Sequence, residues 1–224
     1  MKKYNLMFLL ITFIFLSVSC KKYTMETTDI AEQQRGEYYV SVQPIVVRSD
    51  KGEMPALAVI PEVLVERAYE RVSIDFIFAE HIFLDDTKAR DGIHNLDKIS
   101  EIARKKGLIK YNDRILYMFF VNAIDGREGP MGMGKQNGNI IFIALGDKLP
   151  SGFYGDIKYM QAFVIAHEIG HNFGLIHAVD DPNVPDDVPN LQGDGPFEDR
   201  IDPKYSLNDY QIGIIKKSPL LHKK

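Results

Sequence analysis

The run His167-Glu168-Ile169-Gly170-His171-Asn172-Phe173-Gly174-Leu175-Ile176-His177 constrains this chain more than any other feature. It places three imidazoles and one carboxylate within one short segment. His167 and His171 are four residues apart, which on a helix means about 6 Å along the axis and about 40° around it. Both rings can therefore reach one ion from the same face. His177 lies too far round to join that face on a straight helix. Gly174 stands where a sharp turn is needed, because glycine adopts positive φ at no steric cost, and the turn can return His177 to the ion. The pattern predicts a helix from Tyr159 through Phe173 that ends abruptly. It also predicts a zinc ion held by His167, His171 and His177 with one position left for water. Zinc lowers the pKa of bound water and polarises a carbonyl. Glu168, rotated by about 100° from His167, can reach that water without being a ligand, as general base and then general acid.

The rest of the chain supplies a scaffold for such a helix. Met160, Phe163 and Val164 continue the histidine side, while Ala162, Ile165, Ala166 and Ile169 can seat the opposite side on a sheet. Tyr38 to Val47 is β-rich, and Pro44 within it predicts an edge strand or a bulge between two short strands. Pro61 opens a helical pattern through Val72. Ile74 to Ala79 reads as a second strand, and Asn95 to Lys106 as a helix closed by Gly107. Ile115 to Ile124 is almost continuously apolar and is the expected central strand. Gly126 to Gly138 reads as ordinary loop: no Gly-Lys-Ser/Thr ending and no helical pattern follow it, which excludes a phosphate-cradling loop. Asn139 to Leu145 is another strand. Beyond His177 the prolines 182, 185, 189, 196 and 203 and many acidic residues leave little regular structure until a last helix, with Ser206 to Asp209 as an expected capping box. These elements imply an α+β fold with a mixed sheet.

The N-terminal segment bears on location. Met1-Lys2-Lys3 precedes an apolar stretch from Leu6 to Val18, which is too short for a membrane span of roughly 20 residues and has the layout of an export signal. The single cysteine, Cys20, follows directly and resembles the lipidation site of a bacterial lipoprotein, although Ser17 stands where that motif usually has an aliphatic residue. Its alternative is an ordinary cleaved signal with an unused cysteine. The expected organisation is a signal peptide over 1–19, a lipidated arm over 20–36 and one domain over 37–224. The expected location is the bacterial cell envelope, with a lipid anchor in the outer membrane facing the periplasm or the cell surface. Net charge is −4, or −6 once Lys2 and Lys3 are removed, so there is no basic footprint for nucleic acid.

The histidine run resembles the full signature of the metzincin zinc peptidases, His-Glu-x-x-His-x-x-Gly-x-x-His. Gly170 is similar to the matrixin subgroup. The resemblance implies a zincin-like fold: a mixed, mostly parallel twisted sheet with backing helices and a catalytic helix (37–177), then a small irregular C-terminal subdomain with a final helix (178–224). It implies a zinc endopeptidase that hydrolyses an extended protein or peptide by metal-activated water, with Glu168 as general base and acid. It also implies a cleft-edge strand that pairs with substrate by β-augmentation; the candidate is Asn139 to Leu145, with Asn139, Ile141 and Ile143. The chain departs from the family beneath the metal, where a methionine is expected. Asn190-Leu191-Gln192 is the candidate turn, with Gln192, or Leu191 after a shift of register, in the methionine position. A buried glutamine amide needs partners. This departure leaves open a non-catalytic or weakly active peptide-binding or adhesion lipoprotein on the same scaffold. The acidic residues from Asp180 to Asp199 could hold calcium, but no calcium-loop motif is present. The expected partners are a peptide substrate and a membrane, and the expected state is a monomer.

Overall fold

The structure is a computed structural model and describes residues 36–110, 114–145, 155–185, 189–193 and 196–224. The expected signal segment, Cys20 and the arm up to residue 35 lie outside the described residues. Among the described residues, no helix is long and apolar enough to cross a membrane.

The expected mixed, mostly parallel sheet is present. Strand β1 (Tyr38–Arg48) runs through its middle. Helix α1 (Glu62–Ala68) leads into β2 (Ile74–Phe78) and β3 (Ile82–Asp85), which both run parallel to β1 along one of its sides. Helices α2 (Thr87–Arg90) and α3 (Leu96–Lys105) then lead into β4 (Ile115–Val121), parallel to β1 on its other side. A small hairpin of β5 (Ala123–Ile124) and β6 (Arg127–Glu128) precedes β7 (Met131–Gly134) and β8 (Ile140–Ala144). β8 is parallel to β4 and antiparallel to β7, so the sheet order is β2-β1-β4-β8-β7. Helix α4 (Ile157–Asn172) carries the first two histidines, and α5 (Phe197–Arg200) and α6 (Asp209–Ile215) follow. A final strand, β9 (His222–Lys223), pairs antiparallel with the start of β1.

Pro44 does not make β1 an edge strand. The Val42 carbonyl accepts from the Ala79 N–H at 2.9 Å, and the Arg48 carbonyl from the Asp86 N–H at 3.0 Å. Alternate residues of a parallel strand address the same neighbour, so Pro44 faces this side too. There it meets the interval between Phe78 and Ile82, where β2 has ended and β3 has not begun. The donor that proline lacks has no strand to serve. The Gln43 side chain covers the interval instead, donating to the carbonyls of Glu80 and Pro44 at 2.8 and 3.1 Å.

Strand alternation sorts the core into two layers. Val40, Val42, Val46, Leu116, Met118, Phe120, Ile141 and Ile143 face α1 and α4. Ile45, Val47, Tyr117, Phe119, Val121, Phe142 and Ala144 face α3, whose buried residues are Ile99, Ser100 and Ala103. Asn95 caps α3 by accepting from the Lys98 N–H, and Gly107 ends it at φ 72°. The capping box of α6 lies two residues later than the sequence suggests: Asn208 is the cap and Gln211 its partner. Ser206 is buried and donates instead to the Ala68 carbonyl at 2.9 Å.

Tyr69 ties α4 to this framework just before the first histidine. It is fully buried, its ring meets Phe173 edge-on at 5.5 Å, and its hydroxyl donates to the Ala166 carbonyl at 2.6 Å. Tyr69→Phe keeps the ring and removes only that bond, so it should cost about 1 kcal/mol in urea unfolding. Tyr69→Ala should cost about 3–5 kcal/mol, the range for an aromatic cavity.

Candidate metal centre

Helix α4 is buried along most of its length, between the sheet and the chain that returns beneath it. The Asp156 side chain caps its start by accepting from the Lys158 N–H at 2.9 Å. At its end the Gly174 N–H donates to the His171 carbonyl at 2.9 Å and the Leu175 N–H to the Gly170 carbonyl at 3.0 Å. These are the paired bonds of a Schellman turn, with Gly174 at φ 106° in the position that glycine favours. The turn reverses the chain, and His177 comes back to the helix as the spacing requires.

The three ring nitrogens converge. His171 Nε2 lies 3.2 Å from His167 Nε2 and 3.2 Å from His177 Nε2. All three ligand atoms are within 4.8 Å of one another. Zinc–nitrogen bonds of 2.0–2.1 Å around a tetrahedral centre imply nitrogens about 3.3 Å apart, and the spacing of His171 to each of the other two matches this. The proton positions follow from the partners. His167 Nδ1 meets the Leu191 carbonyl at 2.8 Å and His171 Nδ1 the Leu175 carbonyl at 2.9 Å. A carbonyl only accepts, so both Nδ1 atoms carry the proton and both Nε2 atoms present a lone pair. Two lone pairs at 3.2 Å repel unless a cation lies between them. A proton is a poor choice for that cation: burial pushes His167 down to about 4 and lowers His171 as well. The donor set therefore suits a metal ion. Among the described residues, no second group of three histidine, cysteine or acidic side chains converges in this way.

Glu168 is 6% exposed, and its side chain packs against β7. Burial pushes its carboxyl up to about 7, opposed by a hydrogen bond from the Gly134 backbone. The close approach depends on β7 having no side chain there. A Cβ on Gly132 would lie 2.3 Å from the Glu168 Cγ. Gly132 and Gly134 are two apart and face α4 together, while Met131 and Met133 face away.

This corrects two expectations. The glycine-rich stretch is not only loop, because it contains β7. Asn139, Ile141 and Ile143 do not form the cleft-edge strand, because β8 is paired on both sides and Ile141 and Ile143 are fully buried. The edge beside Glu168 is β7. The period-two alternation of glycine and methionine was the available signal for it.

Beneath the helix, Leu191 and Gln192 both sit under His167. Leu191 is fully buried in the core and supplies its carbonyl to the His167 ring. Gln192 is 2% exposed and its Nε2 donates to the His167 carbonyl at 2.9 Å. The Gln192 Oε1 is buried with no hydrogen-bond partner among the described residues. The side wall of the site joins Phe163, on the histidine side of the helix, to Phe197 and Arg200, which no sequence pattern links to it. There the Phe163 ring lies 5.4 Å from both the His167 and Phe197 rings, and the Arg200 guanidinium stacks on Phe163 at 4.3 Å. In the acidic segment, Asp186, Asp187 and Asp194 lie outside the described residues. Asp181 is buried, with its Oδ1 accepting from the Asn183 backbone and side chain. A recess of about 560 Å³ lies across the sheet, lined by α3, Met133 and Phe142, and no histidine of the cluster borders it.

No family model matches the sequence, and no curated protein matches it. Among solved structures, the chain is similar to an archaemetzincin from Methanopyrus kandleri, with 14% identity over 80% of this chain and 95% of that one and a TM-score of 0.44. It is also similar to a zinc-dependent peptidase from Methanocorpusculum labreanum, with 15% identity over 77% and 99% and a TM-score of 0.43.

Proposed function

We propose that this chain is a zinc endopeptidase of metzincin type that cleaves an extended peptide beside β7. The observation that carries the proposal is the pair of inward-facing Nε2 lone pairs 3.2 Å apart, both fixed by Nδ1–carbonyl bonds. His167, His171 and His177 would hold the ion. Bound zinc supplies Lewis acidity towards a carbonyl and towards water. The protein's own share is proton handling and alignment. Glu168, with its carboxyl near 7 in a buried setting, is suited to take a proton from water and return it to a leaving amine. Its hydrogen bond from Gly134 sets the carboxylate against the sheet edge. β7 pairs only with β8 among the described strands, so its outer edge can pair with a substrate backbone. A side chain next to His167 would meet Phe163, Phe197 and Arg200. The leader and Cys20 support export and a lipid tether at the cell envelope, with the domain acting as a monomer on proteins within reach of its arm.

The test is a digest of a broad peptide library, with metal analysis of the same sample. We expect about one zinc per chain, internal cleavages, loss of cleavage with a chelator and recovery on adding zinc. Zinc binding without any cleavage would replace this reading with that of a peptide-binding lipoprotein. Absence of zinc would remove both.

A further inference from the structure

We propose that Gln192 is a positioning residue for the metal ligands, held in place by a chain of buried amides that ends in the cap of α6. This inference rests on the three-histidine metal reading.

Gln192 touches the ligand set from two sides. Its Nε2 donates to the His167 carbonyl at 2.9 Å, and its own carbonyl accepts at 2.8 Å from the N–H of Ala178, the residue after His177. The preceding carbonyl, that of Leu191, fixes the His167 ring. Residues 191 and 192 thus grip the backbone and ring of one ligand and the chain of another. The helix is cut away to admit the amide, for a Cβ on Gly170 would lie 2.2 Å from the Gln192 Nε2.

The turn is held in its own right. The Gln192 N–H donates to the Asn190 Oδ1 at 2.9 Å. Asn190 and Gln211 exchange side-chain bonds at 2.9 and 3.0 Å, both buried. Gln211 completes the Asn208 capping box, accepting from the Asn208 N–H at 3.1 Å and donating its own N–H to the Asn208 Oδ1 at 2.9 Å. A continuous set of amides therefore joins the last helix to His167.

Global stability gives no reason for the amide. Its Oε1 is a buried acceptor with no hydrogen-bond partner among the described residues, which destabilises the fold. A leucine of similar length would remove that orphan. What leucine cannot supply is the donor to His167. Partners of metal ligands typically contribute 10–100-fold in metal affinity.

The experiment compares wild type, Gln192→Leu and Gly170→Ala as metal-free full chains titrated with zinc against a chromophoric chelator, and with cobalt followed by visible absorption. Gly170→Ala is the second variant because alanine is the better helix former and its methyl group would push on the amide. Both variants should bind zinc about 10–100-fold more weakly and shift the cobalt bands. Metal-free Gln192→Leu should melt at or above the wild-type temperature. Wild-type affinity and cobalt spectrum in Gln192→Leu would overturn the proposal. If that variant does not fold, Gly170→Ala decides: weaker zinc binding with full helicity supports the proposal, and unchanged binding overturns it. A wild type that binds no zinc would fail the metal reading instead, which is a separate result.

Discussion

Glu168→Gln should lower peptide hydrolysis by about 10²–10⁴-fold, the usual share of a general base, while zinc binding stays close to wild type. The two effects separate because the carboxylate and the ligand cluster are distinct. The three ligand atoms belong to His167, His171 and His177. The Glu168 side chain packs instead over Gly132 and accepts from the Gly134 backbone. Glutamine has the same shape and keeps an oxygen for Gly134, but it cannot take a proton from water. Burial pushes the Glu168 carboxyl up to about 7, where it can exchange a proton near neutral pH. A cation bound nearby would favour the charged form and draw that value down, which suits the base role. Turnover of a quenched fluorescent peptide and the zinc content of the same sample supply both readings. Activity within about tenfold of wild type would remove Glu168 from the proton-transfer role.

Local pattern made much of this site legible. The i, i+4 histidines and Gly174 predicted the helix, its stop and the return of His177, because helical geometry and positive φ are properties of the nearest few residues. Asn95, Gly107 and the apolar run of Ile115 to Val121 were readable for the same reason. What the sequence left hidden was set by neighbours distant along the chain. Pro44 reads as an edge signal until two strands are seen to divide one flank of β1 between them. Met131 to Gly134 reads as loop because β propensity disfavours glycine; only the approach of Glu168 explains its glycines. The sheet edge is consequently expected one strand inward, on the more apolar β8. Gln192 is readable as the methionine position because Asn190-Leu191 resembles the family's turn, but its partners at His167 and Ala178 are not.

His171→Ala should have the largest effect on metal binding, because His171 is the hub of the cluster. Its Nε2 is 3.2 Å from each of the other two, and its Nδ1 is fixed by the Leu175 carbonyl within the Schellman turn. Zinc binding worth about 10–16 kcal/mol, shared among three or four ligands, gives roughly 4 kcal/mol per ligand. That corresponds to a loss of affinity on the order of a thousandfold. The readout is thermal unfolding with and without zinc. Zinc that binds only the folded chain stabilises it by about 4 kcal/mol when present at a thousand times its Kd. Wild type should therefore melt at a clearly higher temperature in zinc, and His171→Ala should hardly respond at the same concentration. Without zinc the two proteins should melt close together, since the mutation removes one partly exposed ring that, among the described residues, hydrogen-bonds outside the cluster only to Leu175. A zinc-dependent rise of wild-type size in the variant would mean that the ion sits elsewhere and that His167, His171 and His177 do not hold it.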